Sequence, residues 1–367
     1  MKISVDRELI LRPLQLITGV VERRQTLPVL GNVLVVARNG VVDLVGTDLE
    51  VELHVRLSAL EVLEEGAITV PARKIADIFR AFTDGARVQL SVEGDRTIVR
   101  SGRSRFVLSS MPAADFPRMS EGVAESVFDL PQAQLKTLID KVSFSMAQQD
   151  VRFFLNGMLL ETGRDYVRSV ATDGHRLAVC TLRGLEVGSD RKQAIVPRKG
   201  VLELAKIIDG SDDTCQIGLG KSHLAATVGG YTLTTKLVDG QFPDYENVIP
   251  KSLNRSFVGD RDTLRTAFSR VAILSNEKYR GVRLKIEAEQ LTVQASNPEQ
   301  EEAEEILPVD YSGDTLEMGF NVSYLQDVLG VLSDLNVKFS FSDTNGSALI
   351  EGTENDDALY VVMPMRL

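Results

Sequence analysis

The chain has 367 residues, of which 43% are hydrophobic and 25% charged, and its formal net charge is −11. These values predict an ordered globular protein of two or three domains and exclude a disordered, collagenous or low-complexity chain. The N-terminus carries Asp6, Arg7 and Glu8 where a signal peptide needs an apolar core. No apolar run approaches the roughly 18 residues that span a membrane. We therefore expect a cytoplasmic protein with no membrane partner.

The two cysteines, Cys180 and Cys215, indicate neither a disulfide framework nor a zinc site, because the sequence has no CxxC motif and no Cys/His cluster. We expect both to be small buried residues. The sequence predicts no metal and no cofactor.

Six amphipathic helices are predicted in chain order, over residues 7–24, 72–82, 132–142, 197–208, 261–271 and 322–333. Apolar residues at i, i+3, i+4 and i+7 mark one face of a helix. The second, fourth and sixth helices have this pattern at Ile75, Ile78, Phe79 and Phe82, at Val201, Leu204, Ala205 and Ile208, and at Leu325, Val328, Leu329 and Leu332. The third and fifth have it at Leu135, Leu138, Ile139 and Val142, and at Leu264, Ala267, Phe268 and Val271. In the first helix the predicted face begins at Leu11 and Leu14, and Gln15 and Thr18 weaken it.

The spacing of these patterns predicts a triplicated chain. Ile75 lies 126 residues before Val201, which lies 124 residues before Leu325. Between the helices, segments such as 32–57 and 87–110 alternate apolar and polar residues and contain turn residues, which is typical of antiparallel hairpins. We predict an α+β fold of three domains, 1–124, 125–253 and 254–367, each with two helices packed on antiparallel sheets.

The six predicted helices are basic although the chain is acidic. They contain 15 Lys and Arg against seven Asp and Glu, which leaves a charge of −19 on the remaining chain. One interpretation is that helix surfaces favour Lys and Arg in any protein. The other is a basic helical layer that contacts phosphates without reading bases.

A ring around DNA would place such a basic helical layer on its inner surface. A domain of this size has a diameter of roughly 35 Å, so six domains would leave a hole on the order of 30 Å, whereas three would leave one too small for a duplex. Two chains would be needed. A head-to-tail contact between first and third domains closes a ring when the rotation allows it.

The chain resembles the bacterial DNA polymerase III beta subunit family, the replicative sliding clamps, over its entire length. The segments that carry the resemblance are TLPVLGNVL (26–34), SFSMAQQDVRFFLNGMLLE (143–161), VATDGHRLAVC (170–180), FPDYENVIP (242–250), LSNEKYRGVRL (274–284), NPEQEEAEEI (297–306) and YVVMPMRL (360–367). The resemblance implies a non-catalytic processivity factor that encircles double-stranded DNA as a homodimer. Its implied partners are a second copy, the polymerase III alpha subunit, the clamp loader and other proteins with a clamp-binding motif.

The resemblance also implies three sets of site residues. DNA contacts fall on Arg24, Arg73, Gln149, Phe153, Phe154 and Arg198; in related clamps Tyr-Tyr is common where Phe153-Phe154 stands. A partner-peptide groove falls on Leu155, Thr172, Gly174, His175, Arg176, Leu177, Pro243, Asn247, Val248, Val361, Val362, Met363, Pro364, Met365 and Arg366. The dimer interface falls on Lys74, Arg96, Arg103, Arg105, Phe106, Leu108, Ile273 and Leu274, with Lys74 and Arg96 facing the acidic stretch 299–305 of the other copy.

Two alternatives belong to other classes of protein. A nuclease would hold two metals with the carboxylates of the acidic stretch, but consecutive glutamates on a strand point to opposite faces and do not converge. A peptide-binding scaffold without DNA explains the acidity and the groove but leaves the basic helices unexplained. Asp173-Gly174-His175 is predicted to be a turn that recurs at 47–50 and 296–299, not an acid/base site.

Overall fold

The structure is a computed structural model that describes residues 1–21, 27–58, 60–120, 122–185, 187–188, 191–354 and 357–366. The described residues form six α-helices: α1 Arg7–Val20, α2 Ala72–Ala81, α3 Gln132–Asp140, α4 Arg198–Ile207, α5 Arg261–Val271 and α6 Val322–Val331. All six predicted helices are confirmed, although most are shorter than predicted. No helix of the described part is long and apolar enough to cross a membrane.

The strands are mostly short and paired antiparallel. They are β1 Lys2–Asp6, β2 Asn32–Arg38, β3 Val41–Thr47, β4 Val51–Leu57, β5 Glu61–Glu64, β6 Gly66–Pro71, β7 Arg87–Glu93, β8 Arg96–Ser101, β9 Ser104–Ser109, β10 Ala124–Pro131, β11 Gly157–Thr162, β12 Tyr166–Thr172, β13 Arg176–Arg183, β14 Lys192–Pro197, β15 Thr214–Gly220, β16 His223–Val228, β17 Tyr231–Lys236, β18 Arg255–Asp260, β19 Gly281–Glu287, β20 Gln290–Ser296, β21 Glu302–Pro308, β22 Leu316–Asn321, β23 Asn336–Phe341, β24 Ala348–Gly352 and β25 Ala358–Val362.

The order of elements repeats three times. Each copy has one strand, a helix, four or five strands, a second helix and three strands, starting at β1, β10 and β18. This order confirms the triplication. The sequence pattern missed the strand before each first helix, because the ladder partners of these strands lie far along the chain, as when Lys2 pairs with Ser91.

The chain forms two compact units. The first contains Met1–Lys136 and Lys199–Val238, and the second contains Thr137–Arg198 and Asp239–Leu367. The first unit holds a sheet of order β5-β1-β7-β8-β9 and a sheet of order β10-β15-β16-β17-β4-β3-β2-β6. The second holds a sheet of order β14-β11-β12-β13-β25-β24-β23-β18 and a sheet of order β21-β20-β19-β22. Each eight-stranded sheet therefore joins strands from two copies of the repeat.

Helix α1 packs on β3 and β4 through a face that differs from the predicted one. Its buried residues are Ile10, Pro13, Leu14, Ile17 and Val20, so the i, i+3, i+4, i+7 face begins at Ile10 and not at Leu11. The approach to the sheet is close, because a Cβ added at Gly46 of β3 would lie 2.5 Å from Ile17 Cγ2. A larger residue at position 46 would push the helix away.

The predicted faces of the other helices are largely buried, as their spacing indicates. In α5 the buried residues are Leu264, Ala267, Phe268 and Val271, and in α6 they are Val322, Leu325, Val328 and Leu329. Both cysteines are buried, and burial raises the pKa of Cys180 and of Cys215 to about 12. Neither thiol forms a reactive thiolate near neutral pH, which confirms the expectation of small buried residues.

Candidate DNA-contact and partner-binding sites

A rigid loop of the second unit, residues 146–156, carries three of the predicted DNA-contact residues. The Ala147 N–H donates to the Leu155 carbonyl (3.0 Å). The amide of Asn156 accepts from the Asp150 N–H (2.9 Å) and donates to the Asp150 carbonyl (2.8 Å). These bonds fix the base of the loop and leave its tip in solvent.

The tip of this loop exposes apolar side chains. Val151 is 95% exposed and Phe153 is 56% exposed, and the rings of Phe153 and Phe154 meet edge to face at 5.8 Å. Gln149 is exposed and has a positive φ of 57°, a conformation that non-glycine residues rarely adopt. Exposed aromatic side chains and backbone strain concentrate at binding sites. These features are typical of a contact surface.

Beside this tip, Asp150 and Arg152 form an ion pair in the same loop. Arg152 donates to both carboxylate oxygens, at 3.0 and 2.8 Å, and its own N–H donates to Asp150 Oδ1. The side-chain bonds from Arg152, followed by this backbone bond, lower the pKa of Asp150 to about 2. Arg152 also donates to the carbonyl of Asp173 (3.3 Å), which links the loop to the turn before β13.

Two of the predicted phosphate-binding arginines, Arg73 and Arg198, also donate to backbone carbonyls of distant segments. Arg73 is exposed at the start of α2 and donates to the carbonyl of Val21 (3.2 Å) just past α1. Arg198 begins α4 and donates to the carbonyl of Met146 (3.3 Å), which puts it at the base of the loop 146–156. Arg24 lies outside the described residues.

Local ion pairs reduce the basic excess of the helices. Arg80 pairs with Asp77, Lys206 with Glu203 and Arg265 with Asp262, each within one helix. Lys199 is engaged as well, because it pairs with Asp48 and donates to the carbonyl of Val20. Within the described part, Arg73 and Arg198 make no ion pair. They are therefore better placed for phosphates than the total charge suggests.

The turn before β13 has the shape of the turn before β4. Asp173 accepts from the N–H groups of His175 and Arg176, and Asp48 accepts in the same way from Glu50 and Val51. Gly174 has a φ of +89° where the first copy has Leu49 at +75°. The predicted recurrence is confirmed for these two copies. In the third copy the turn is longer, with Asn297 accepting from the Glu301 N–H.

Some residues of the predicted groove lie on the outer face of the sheet β12-β13-β25, opposite the face that covers helix α3. Ser169, on the helix face, donates to the carbonyl of Leu138 (2.6 Å). Thr172, Leu177 and Val361 are neighbours in register on the outer face, where Leu177 and Val361 are buried. Val362 alternates with Val361 and therefore points to the helix face, where it is fully buried. Its side chain does not line the outer face.

The C-terminal segment runs beside the turn. The Met363 N–H donates to the carbonyl of His175 (2.9 Å), and the Met365 N–H donates to the carbonyl of Gly319 (2.8 Å). Met363 is 40% exposed, Pro364 and Met365 are half-buried, and Arg366 is exposed. Met365 and Arg366 also line a cavity of about 640 Å³ above β19, β20 and β21.

Arg176 connects the groove to α6 through residues that the sequence pattern did not indicate. Its guanidinium lies 4.5 Å from the ring centre of Tyr324 and 5.1 Å from that of Phe144, and it pairs with Asp173 and Asp327. The ring of His175 stacks on Tyr324 at 6.3 Å. Tyr324 and Asp327 lie outside the apolar face of α6, so helical periodicity gave no signal for them.

The remaining groove residues lie on the segment 242–249. Pro243, Asn247 and Val248 are exposed, whereas Phe242 and Tyr245 are buried. Asn247 donates to Asp244 (2.6 Å). Leu155 is buried at the end of the loop 146–156. Together these residues give a surface with apolar anchors and a few polar groups, which is typical of a peptide site.

The predicted dimer residues lie at two open edges. Strand β9 is the edge of its sheet and carries Arg105 and Phe106 in exposed positions, with the exposed Arg103 in the turn before it, while Leu108 is buried. Arg105 lies opposite Arg100 of β8, an unfavourable pair of like charges. Lys74 and Arg96 are exposed as well. This edge is basic and has no strand beside it among the described residues.

The other edge is apolar and acidic. Ile273 is 76% exposed, Leu274 is half-buried, and strand β21 forms the edge of its sheet with Glu302 and Glu304 exposed. Neighbouring glutamates of β21 point to opposite faces: Glu304 accepts from Gln294 (2.6 Å), and Glu305 pairs with Arg270 of α5. In the part of the chain that the structure describes, no three His, Cys, Asp or Glu side chains converge to hold a metal.

Three family models match consecutive parts of the chain: the N-terminal domain of the DNA polymerase III beta subunit over residues 1–120, its central domain over 129–244 and its C-terminal domain over 246–366. The chain belongs to the DNA polymerase III beta subunit family. The beta sliding clamp of Pseudomonas putida is 55% identical over the full length of both chains, and that of Escherichia coli K12 is 51% identical.

Solved structures agree with this assignment. The crystal structure of the DNA polymerase III beta subunit from Pseudomonas aeruginosa has 55% sequence identity, covers both chains fully and gives a TM-score of 0.96. The beta sliding clamp of Caulobacter crescentus, at 35% identity, covers all of this chain and 99% of its own, with a TM-score of 0.96. The predicted fold and the predicted function, that of a DNA sliding clamp, are therefore confirmed.

Proposed function

We propose that two copies of this chain pair head to tail and form a ring that encircles duplex DNA, slides along it and tethers the replicative polymerase. The observation that carries the proposal is the match to the beta subunit family over the full length, in all three domains. The chain acts in the cytoplasm as a non-catalytic subunit, and its domains extend over 1–124, 125–253 and 254–367.

The ring contact is proposed to join β9 of one copy to the region of Ile273 and β21 of the other. Both strands have an open ladder edge, and one edge is basic where the other is acidic. Open edges pair readily with another strand. Burying the exposed Ile273 side chain would add apolar area, and the opposite charges would fix the orientation.

DNA is proposed to be held by topology and by weak phosphate contacts from Arg24, Arg73 and Arg198, together with Gln149, Phe153 and Phe154 on the exposed loop. A protein held by phosphates alone loses about 0.9 log units of affinity per contact for each tenfold rise in salt. A closed ring stays on the DNA at high salt, because it does not depend on phosphate contacts to be retained. Retention on circular DNA at high salt therefore distinguishes encirclement from ordinary binding.

The test uses the full chain loaded by an ATP-driven clamp loader onto a nicked circle. We expect it to survive a salt wash that removes ordinary DNA-binding proteins, and to leave when the circle is cut once. A linear molecule with both ends blocked is the control and should retain the ring. Equal retention on circular DNA and on linear DNA with free ends would exclude encirclement.

Partners such as the polymerase III alpha subunit and the clamp loader are proposed to dock a short peptide with glutamine and aliphatic side chains in the groove. Deleting Met363 to Leu367 should abolish binding of such a peptide while sedimentation still gives a dimer. A titration with labelled peptide measures this. Peptide binding that survives the deletion would place the partner site elsewhere.

A further inference from the structure

The segment 242–249 supplies Pro243, Asn247 and Val248 to the proposed groove but has little regular structure of its own. Its only regular element is one turn of 3₁₀ helix, Tyr245–Asn247. Such a short turn does not hold its position without contacts to the sheet below. The position of these three side chains therefore depends on how the segment is attached.

The segment is not fully packed against the sheet. A cavity of about 350 Å³ lies there, lined on the segment by Tyr245, Glu246 and Ile249, and on the sheet by residues that include Arg168 and Leu359. Protein interiors normally resist displacement because they are close-packed. Where a cavity interrupts the packing, directional bonds have to hold the segment.

The shortest of those bonds is made by one hydroxyl, while Glu246 of the same segment adds looser ion pairs with Arg168 (3.8 Å) and Arg191 (3.6 Å). Tyr245 is 3% exposed, and its hydroxyl accepts from Arg168 Nη1 at 2.8 Å and donates toward Glu161 Oε1 at 3.5 Å. Arg168 is itself fixed, because its Nε donates to Thr181 Oγ1 at 2.8 Å and its guanidinium lies 5.1 Å from the ring centre of Tyr166. The hydroxyl is thus tied to two strands of the sheet.

The buried carboxylate of Glu161 anchors this cluster. It is fully buried and accepts from Tyr166 (2.8 Å), Gln193 (2.6 Å) and Arg191 (2.7 Å). Burial alone would raise the pKa of Glu161, but the bonds from Arg191, Gln193 and Tyr166 outweigh burial and lower it. A charged group with this many donors forms a rigid network.

We propose that Arg168, Tyr245 and Glu161 form a latch that positions the groove wall at Pro243, Asn247 and Val248 and so sets the affinity for partner peptides. These are positioning residues and do not touch the peptide. The proposal rests on the proposed function of the groove. It adds the prediction that one buried hydroxyl, outside the groove, controls peptide binding.

The test compares two tyrosines that share one acceptor. Tyr245→Phe removes the hydroxyl that ties the wall, and Tyr166→Phe removes a hydroxyl that bonds the same Glu161 oxygen from β12, away from the wall. Each full-length variant is titrated with a labelled peptide of the glutamine-and-aliphatic type, and its thermal midpoint is measured. We expect Tyr245→Phe to weaken binding about three- to tenfold, the effect of one hydrogen bond. Tyr166→Phe should bind within about twofold of the unmodified chain.

If the two tyrosines only stabilised the fold, the loss of peptide affinity in each variant would follow its loss of thermal stability. If the two variants lost affinity equally, or neither lost any, the latch would be refuted. Arg168→Met removes the donor and leaves Tyr245 in the core, so it gives the answer if Tyr245→Phe does not fold. The double variant should bind no more weakly than the weaker single variant, because both changes break one network.

The unmodified chain separates this inference from the proposed function. If it binds the peptide and the variants bind equally well, only the latch fails. If it does not bind the peptide at all, the groove assignment fails and the latch fails with it.

Discussion

Arg176→Met is the substitution that tests most directly whether contacts with α6 stabilise the proposed groove. The variant keeps an unbranched apolar stem of similar length, so the packing of the stem is largely preserved. It removes the bond to Asp173 (3.1 Å), the bond to the carbonyl of Phe144 (2.8 Å) and the ion pair with Asp327. It also removes the cation from between the rings of Phe144 and Tyr324.

The expected loss of stability follows from how far these interactions are shielded from water. The Arg176 side chain is 11% exposed and Asp173 is 19% exposed, so their bonds belong to the class worth about 1.5–3 kcal/mol. The two ring interactions add about 0.5–1 kcal/mol each. Asp327 is 45% exposed, and its pair contributes little. Because such terms do not add fully, we expect a loss of about 3 kcal/mol.

For a unit of this size, that loss lowers the thermal midpoint by roughly 6–12 °C. Calorimetry and circular dichroism are the assays of choice, because the chain has no tryptophan. Arg283→Met is the matched control, since Arg283 makes an ion pair with Glu317 in which both side chains are 47% exposed. The control should shift the midpoint by no more than about 2 °C. Equal shifts in the two variants would refute the argument from shielding.

Three further predictions follow from single side chains. Ile273→Asp should give a sedimentation mass of 40.3 kDa in place of twice that value, with an unchanged far-ultraviolet spectrum, because a charge would be buried at the proposed contact. Glu161→Gln should flatten the pH dependence of the free energy of unfolding in acid. Because the pKa of Glu161 is lowered in the folded chain, its carboxylate stabilises the fold above about pH 4.3, and this stabilisation is lost as the pH falls further. Arg198→Lys should reduce the slope of log affinity against log salt concentration for direct duplex binding, by about 0.9 for each phosphate that is no longer bound. The reason is that one ammonium group cannot hold a carbonyl and a phosphate together.

Periodicity predicted the helices well because each buries one face against a sheet. Periodicity predicted the wrong buried face for α1, because apolar residues lie nearly all round this helix. They are Ile10, Leu11, Leu14, Leu16 and Ile17. Two faces were possible in the sequence, and the close approach of β3 decided between them. Local patterns therefore identify a helix more securely than they identify the side that it buries.

Pairing between copies of the repeat was beyond the reach of sequence patterns. Strand β17 pairs with β4, and β13 pairs with β25, although nothing in either alternating pattern says which open edge it meets. Tyr324 was missed for a related reason: its partner Arg176 is far away in the sequence, and only the folded chain brings the ring and the guanidinium together. The family resemblance supplied the proposed groove residues but not the side chains that contact them.

The arginines at the helix starts follow one plan in the three copies, and this plan suits the weak phosphate contacts proposed for Arg73 and Arg198. Arg7 donates to the carbonyl of Phe79 and Arg261 to that of Leu332, as Arg73 does to that of Val21 and Arg198 to that of Met146. Each guanidinium has five donors, so one tied to a carbonyl keeps others for a phosphate. Tethering reduces the freedom that the side chain would lose on binding, yet it also limits how far the side chain can follow a phosphate. An arginine side chain that is already ordered but can move only a short distance can release one phosphate and bind the next, as sliding requires.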